Sequence, residues 1–161
     1  MKSLFAVVIL PTVWFAEPSD AAKLENGPGP GPGPYVCAGV QGSQPAIATP
    51  IELSTCTAGL NQEFVLLGDH TFSNGVLGIE ILTMGGAFCV DVVSAGVFPG
   101  TPVQIYTCNG TGAQVWNYTV FGQLINVNSG LCLDSQGSGQ QLVLNQCIST
   151  RGSQIWRIDS D

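Results

Sequence analysis

Positive charge is almost missing from this chain. Lys2, Lys23, Arg151 and Arg157 are its only cations among 161 residues, and the formal net charge is −7. Such a balance repels a phosphate backbone, and no basic stripe with interleaved aromatics offsets it, so nucleic acid is excluded as a partner. Histidine occurs once, at His70, and no Cys-x-x-Cys pair is present. No ligand set for a zinc site remains, and no cofactor motif stands out. A Ser-His-Asp triad would have to use His70, in the segment Gly68 to Phe72, and no Gly-x-Ser-x-Gly turn accompanies it. His70 reads instead as an exposed loop residue.

Helical periodicity is equally absent over any useful window. Only 9% of residues are charged, while Gly (21) and Pro (10) are plentiful. Val, Ile, Leu, Thr and Tyr gather in short runs bounded by Gly, Asn and Ser, which argues an all-β chain of short strands and turns. Its length suits one domain with a single core. The longest apolar run, Leu4 to Ala16, is interrupted by Pro11 and is too short to span a bilayer, so no membrane insertion is expected. With Lys2 before it and small residues at Ser19 and Ala21, the start reads as a secretory signal peptide over 1–21. Gly27 to Pro34 alternates Gly and Pro. Proline at every second residue removes ladder donors, and collagen would need glycine at every third, so 22–34 is expected to be an extended spacer. The folded domain is then 35–161.

What the chain has in quantity is repetition. Cys89-Val90-Asp91 leads to Cys108 and closes on Gln114-Val115-Trp116. Cys132-Leu133-Asp134 leads to Cys147 and closes on Gln154-Ile155-Trp156. A worn copy lies upstream, from Cys37 to Cys56 and then Gln62-Glu63-Phe64, with Phe in the place of Trp. Repeats at a period of roughly 40 residues fix an architecture before any finer reading. They divide the domain at about 36–75, 76–118 and 119–161. Six cysteines allow fifteen connectivities.

A Cys-x-Asp, a second Cys and a closing Gln-x-Trp, three times over, resembles the ricin B-chain type lectin family. The resemblance covers roughly Val36 to Ile158. It implies a β-trefoil with one sugar site available per repeat, and it pairs the cysteines within repeats: Cys37 with Cys56, Cys89 with Cys108, Cys132 with Cys147. Such bridges belong to an extracellular, secreted protein. A trefoil has twelve strand places, and eleven good candidates can be counted. The last strand is missing from the count, with Tyr35 or Arg157-Ile158-Asp159 as substitutes for it.

Recognition of a neutral sugar needs a carboxylate or amide for its hydroxyls and a flat ring for its C–H face. The second repeat has both. The resemblance makes Asp91 the sugar-binding acid, Tyr106 the aromatic platform and Gln104 the polar edge, with Gln114 within reach. On a strand Gln104 and Tyr106 point to one face. Ala113 stands where the family often has Asn. A weaker second site is expected from Asp134, Asn145 and Gln154, where Asn145 replaces the ring and Val143 the edge Gln. In the first repeat Gly39 replaces the acid and Ser54 the aromatic, so that copy is structural. Trp116 and Trp156 are assigned to the core. Asn109-Gly110-Thr111 and Asn117-Tyr118-Thr119 are glycosylation acceptors in a secreted chain.

The chain therefore reads as a secreted lectin for galactose-like or related sugars, with glycans or glycoproteins as partners. It is not read as an enzyme: Asp91 and Asp134, the only repeated acids, fall in different lobes, whereas glycosidase carboxylates sit roughly 5–9.5 Å apart. A single shallow pocket binds weakly, so oligomers or clustered glycans would supply avidity. The alternative is a trefoil with decayed sugar sites, acting as a protease inhibitor or protein-interaction module through the loop Ser94 to Thr101, with Phe98-Pro99 at its tip.

Overall fold

The structure, a computed structural model, describes residues 21–27, 34–42, 45–71, 77–83 and 85–160, without the side chains of 69–71 and 77. The proposed signal peptide, up to residue 20, and positions 28–33 of the Gly-Pro tract lie outside the described residues. Strands fall in sets of four. The first set is β1 (Ala21–Asn26), β2 (Val36–Val40), β3 (Ile51–Thr55) and β4 (Phe64–Thr71). Next come β5 (Leu77–Thr83), β6 (Phe88–Val92), β7 (Val103–Tyr106) and β8 (Val115–Tyr118). The last set is β9 (Leu124–Asn126), β10 (Cys132–Asp134), β11 (Val143–Asn145) and β12 (Trp156–Asp159).

In each set the outer strands pair around a barrel, and the inner two form a hairpin that caps one end. The barrel path runs β12–β1–β4–β5–β8–β9, every pair antiparallel. The Trp156 amide donates to the Gly122 carbonyl at 2.7 Å where the path returns on itself. Hairpins β2–β3, β6–β7 and β10–β11 are likewise antiparallel. This is a β-trefoil, and its core shows the threefold plan in side chains. Leu24, Ile81 and Leu124 are buried equivalents from the leading strands. Leu53, Ile105 and Leu144 come from the hairpins, and Phe64, Trp116 and Trp156 from the closing strands. Burying each such side chain contributes about 1.5–3 kcal/mol. Trp116 and Trp156 thus take their expected core places, and each indole N–H donates to a hairpin carbonyl, Val90 at 3.2 Å and Leu133 at 3.1 Å. Phe64 fills the same place without a donor.

The strand missing from the sequence count is β1. It lies upstream of the Gly-Pro tract, in residues 22–26 that were expected to be spacer, and it begins at Ala21, the expected cleavage position. The first repeat therefore starts at β1 rather than at 36, and neither Tyr35 nor β12 substitutes for a strand. Lys23 to Asn26 all join the ladder with β12, Lys23 opposite Asp159 and Glu25 opposite Arg157, and Leu24, Glu25 and Asn26 are buried. Because Asn26 also pairs with Val36, the Gly-Pro tract joins two paired strands instead of trailing from the domain. His70 is not in a loop but in β4, opposite Gly78.

Three further devices repeat. Disulfides Cys37–Cys56, Cys89–Cys108 and Cys132–Cys147 close the lobes as the family resemblance implies, and no described cysteine is free. Each contributes about 3 kcal/mol on loop-entropy arguments, and together they belong to an oxidising compartment. Beside each bridge a buried glutamine clamps the chain on both sides of the second cysteine. Gln62 accepts from the Thr57 amide and donates to the Thr55 carbonyl; Gln114 does so with Asn109 and Thr107, Gln154 with Ile148 and Gln146. Finally, the last residue of each leading strand grips the turn that ends the preceding lobe. Thr83 donates to the Glu63 carbonyl, Asn126 to Val115 and Asn26 to Ile155. Asn26 thereby joins the end of the third lobe to the start of the first. Among the described residues no helix is long and apolar enough to cross a membrane.

Candidate functional site

In the second repeat, β6 and β7 pair with Asp91 opposite Gln104 and Cys89 opposite Tyr106. Strand alternation then sets Asp91, Gln104 and Tyr106 on one face. That face opens on a surface cavity of about 480 Å³ lined by all three. Asp91 is only 6% exposed. Its Oδ1 accepts from Gln104 Nε2 at 2.9 Å and its Oδ2 from Gln114 Nε2 at 3.0 Å. A carboxylate oxygen has two lone pairs, so each retains acceptor capacity toward the cavity while the amides fix its orientation. Tyr106, at the end of β7, is 38% exposed, which leaves ring surface for a ligand.

Gln104 is thus a holder of Asp91 as well as a wall residue. Gln114, expected within reach of sugar, is fully buried and forms no part of the cavity lining. Its function in the site is to carry Asp91, and its own position is set by the bonds that flank Cys108.

The far wall was not anticipated. After β6 the chain makes a single 3-10 turn, Val93–Ala95, and both Ser94 (φ 54°) and Ala95 (φ 51°) are left-handed. Left-handed residues with a Cβ cost roughly 1–2 kcal/mol each, and such strain concentrates at functional sites. Asn128, from the third repeat, donates to the Ala95 carbonyl at 3.1 Å and holds the turn in place. The sequence carries no signal for this turn beyond its position straight after the acid. Asn109 and Thr111 complete the rim; the Thr111 amide and hydroxyl donate to Asn109 Oδ1 at 3.1 and 2.8 Å.

In the third repeat Asp134, Asn145 and Gln154 do come together, but around a cation. Asp134 Oδ2 accepts from Asn145 Nδ2 at 3.1 Å, Gln154 Nε2 at 3.0 Å and Arg151 at 3.2 Å. Arg151 holds the place, three before the glutamine, that Thr111 holds at the open cavity. Its guanidinium takes the acid that a sugar hydroxyl would need. Asp134 Oδ1 is buried and has no hydrogen-bond partner among the described residues. In the first repeat, Gln62 occupies the acid's space. A Cβ on Gly39 would lie 2.9 Å from Gln62 Cγ, and Gln62 Nε2 donates to Ser54 Oγ at 2.8 Å.

Of the two glycosylation acceptors, Asn109 is on the cavity rim, while Asn117 is exposed on β8 away from it. The loop proposed for protein contact projects from the surface, with Phe98 74% exposed.

Residues 31–156 match the family model described as the ricin-type beta-trefoil lectin domain. Mouse polypeptide N-acetylgalactosaminyltransferase 15 is 28% identical over 150 residues, covering 88% of this chain and 21% of that protein. The chain therefore spans about a fifth of that relative's length. Among solved structures, a designed threefold-symmetric protein, ThreeFoil, superposes with a TM-score of 0.72 at 19% identity, over 87% of this chain and 98% of that one. The agglutinin of Abrus precatorius superposes with a TM-score of 0.66 at 25% identity, over 88% of this chain and 48% of that one.

Proposed function

This chain belongs to the ricin-type β-trefoil lectin family, and from that premise we propose that it is a secreted lectin binding galactose-like sugars through the cavity of its second repeat. One observation carries the reading. Asp91 is buried, oriented by two amides and placed in the same cavity as a half-exposed Tyr106. Neighbouring sugar hydroxyls donate to the spare lone pairs of the carboxylate, a charge-assisted bond roughly twice as strong as a neutral one. Galactose, whose axial 4-hydroxyl clears one ring face of polar groups, lays that C–H face on Tyr106. Binding is reversible, and no bond is made or broken.

Affinity follows from the size of the site. One open pocket with a single ring and a single acid gives a Kd on the order of 0.1–1 mM, about −4 to −5.5 kcal/mol. Tight capture then depends on several copies meeting clustered glycans on a glycoprotein. The third repeat adds little, because Arg151 neutralises its acid. Secretion is supported by the disulfide set and by the signal-like start.

A second reading rests on a separate feature, the exposed Phe98 in the loop between β6 and β7. Gly100 N is bonded to the Leu144 carbonyl at 2.7 Å and Thr101 to the Phe98 carbonyl, so the tip is presented from a fixed base. That arrangement suits contact with a protein, including a protease cleft. A glycan array and a protease panel on the disulfide-intact chain separate the readings. Signal on galactosylated spots that is lost with Asp91→Asn supports the lectin; protease inhibition lost with Phe98→Ala supports the alternative.

A further inference from the structure

The cavity that holds Asp91 and Tyr106 also includes a glycosylation acceptor in its wall. Asn109 lines it, is exposed and opens the acceptor sequence Asn109-Gly110-Thr111. Its side-chain oxygen is engaged by the Thr111 amide and hydroxyl, and its nitrogen makes no hydrogen bond among the described residues. The backbone of Asn109 is fixed by its N–H bond to Gln114 Oε1 at 2.8 Å, the same glutamine that carries Asp91. Any group on the Asn109 nitrogen is therefore held at a set place on the rim. Asn117, by contrast, lies on β8 away from the cavity, so a glycan there leaves it open.

We propose that Asn109 is an N-glycan acceptor whose glycan covers the second-repeat cavity, so that the chain binds external sugar only when Asn109 is bare. The inference rests on the lectin reading of that cavity. In the modification, Asn109 Nδ2 forms a bond to C1 of an N-acetylglucosamine on a lipid-pyrophosphate-linked oligosaccharide. The bond from C1 to the pyrophosphate oxygen breaks, one amide proton is released, and the lipid pyrophosphate departs; nothing is oxidised or reduced. Magnitudes favour self-occlusion. A tethered group is present at an effective concentration of about millimolar or more, at or above a free-sugar Kd on the order of 0.1–1 mM. A tethered glycan that merely stands over Tyr106 blocks sterically and needs no affinity at all.

The test uses Asn117→Gln, which leaves Asn109 as the single acceptor, made in two hosts: an oxidising bacterial periplasm without N-glycosylation and a glycosylating secretory cell. Intact mass reads occupancy, and titration with methyl β-galactoside reads binding. The bare protein should bind, and the glycosylated protein should bind at least tenfold more weakly, with contacts between its N-acetyl methyl and the Tyr106 ring in nuclear Overhauser spectra. An unmodified Asn109 in the glycosylating host overturns the proposal, as does a glycosylated protein that binds within twofold of the bare one. Failure of the bare protein to bind any sugar is a different result: it removes the lectin reading, and this inference with it.

Discussion

Asp91 and Gln114 are 23 residues apart in the chain, yet the Gln114 amide donates to Asp91 Oδ2 at 3.0 Å. The same amide group grips the backbone on both sides of Cys108. The acid proposed to meet the ligand is thereby tied to the feature that defines the lobe. Framework and site share one side chain.

Removing the acid should therefore disturb both, unequally. Asp91→Ala is expected to abolish sugar binding and to lower stability by about 1–3 kcal/mol, since the Gln104 amide loses its partner while Gln114 keeps Thr107. Asp91→Asn preserves volume and should cost less stability while still losing binding. Affinity chromatography with thermal unfolding of each variant checks this split.

Tyr106 should behave in the opposite way. Its ring is partly exposed at a strand end, so Tyr106→Ala is expected to weaken binding tenfold or more while shifting stability by roughly 1 kcal/mol or less. Tyr106→Phe should retain most of the affinity, because the flat face is the contact. A Phe variant that loses binding completely would show that the hydroxyl, not the face, is what the sugar meets.

Much of this was legible because the repeat is written in residues with no interchangeable substitute. Only a cysteine makes the bridge, and the glutamine amide both accepts and donates around it. What escaped has equally plain causes. β1 carries Lys, Glu and Asn in six residues, because its ladder partner Arg157 pairs with Glu25 at 2.9 Å and its Asn26 works as a latch. Such a strand shows no apolar alternation. Nothing in the local sequence ties Arg151 to Asp134, since their contact spans 17 residues. The left-handed Ser94 and Ala95 lie in residues that do not ordinarily choose that conformation.

The latch gives a test of the closure. Asn26→Ala removes the side-chain donor from the Gly152 and Ile155 carbonyls, of which Gly152 keeps the Ile155 amide, and should cost about 1–3 kcal/mol with disulfides intact. Shortening the chain to begin at Gly27 removes β1 entirely and should prevent cooperative unfolding. Calorimetry of both variants is the check. A shortened chain that melts as sharply as the full one would mean that β12 needs no partner.

The first repeat offers a negative control. Gly39→Ala places a Cβ 2.9 Å from Gln62 Cγ, the middle of a side chain clamped at its far end, so it should destabilise by about 1–3 kcal/mol. Sugar affinity should be unchanged, because that lobe has Gly39 in the place of the acid. Parallel loss of affinity in the variant would place a ligand contact in the first lobe.

Tyrosine occurs at Tyr35, Tyr106 and Tyr118, and only Tyr106 faces the second-repeat cavity. Ring-labelled tyrosine in unglycosylated protein, titrated with methyl β-galactoside and followed by nuclear magnetic resonance, isolates the proposed contact. One tyrosine signal, assigned by its loss in Tyr106→Phe, should move saturably with a sub-millimolar to millimolar midpoint and remain still in Asp91→Asn. A Tyr106 signal that does not move, or movement confined to Tyr35 or Tyr118, contradicts the account.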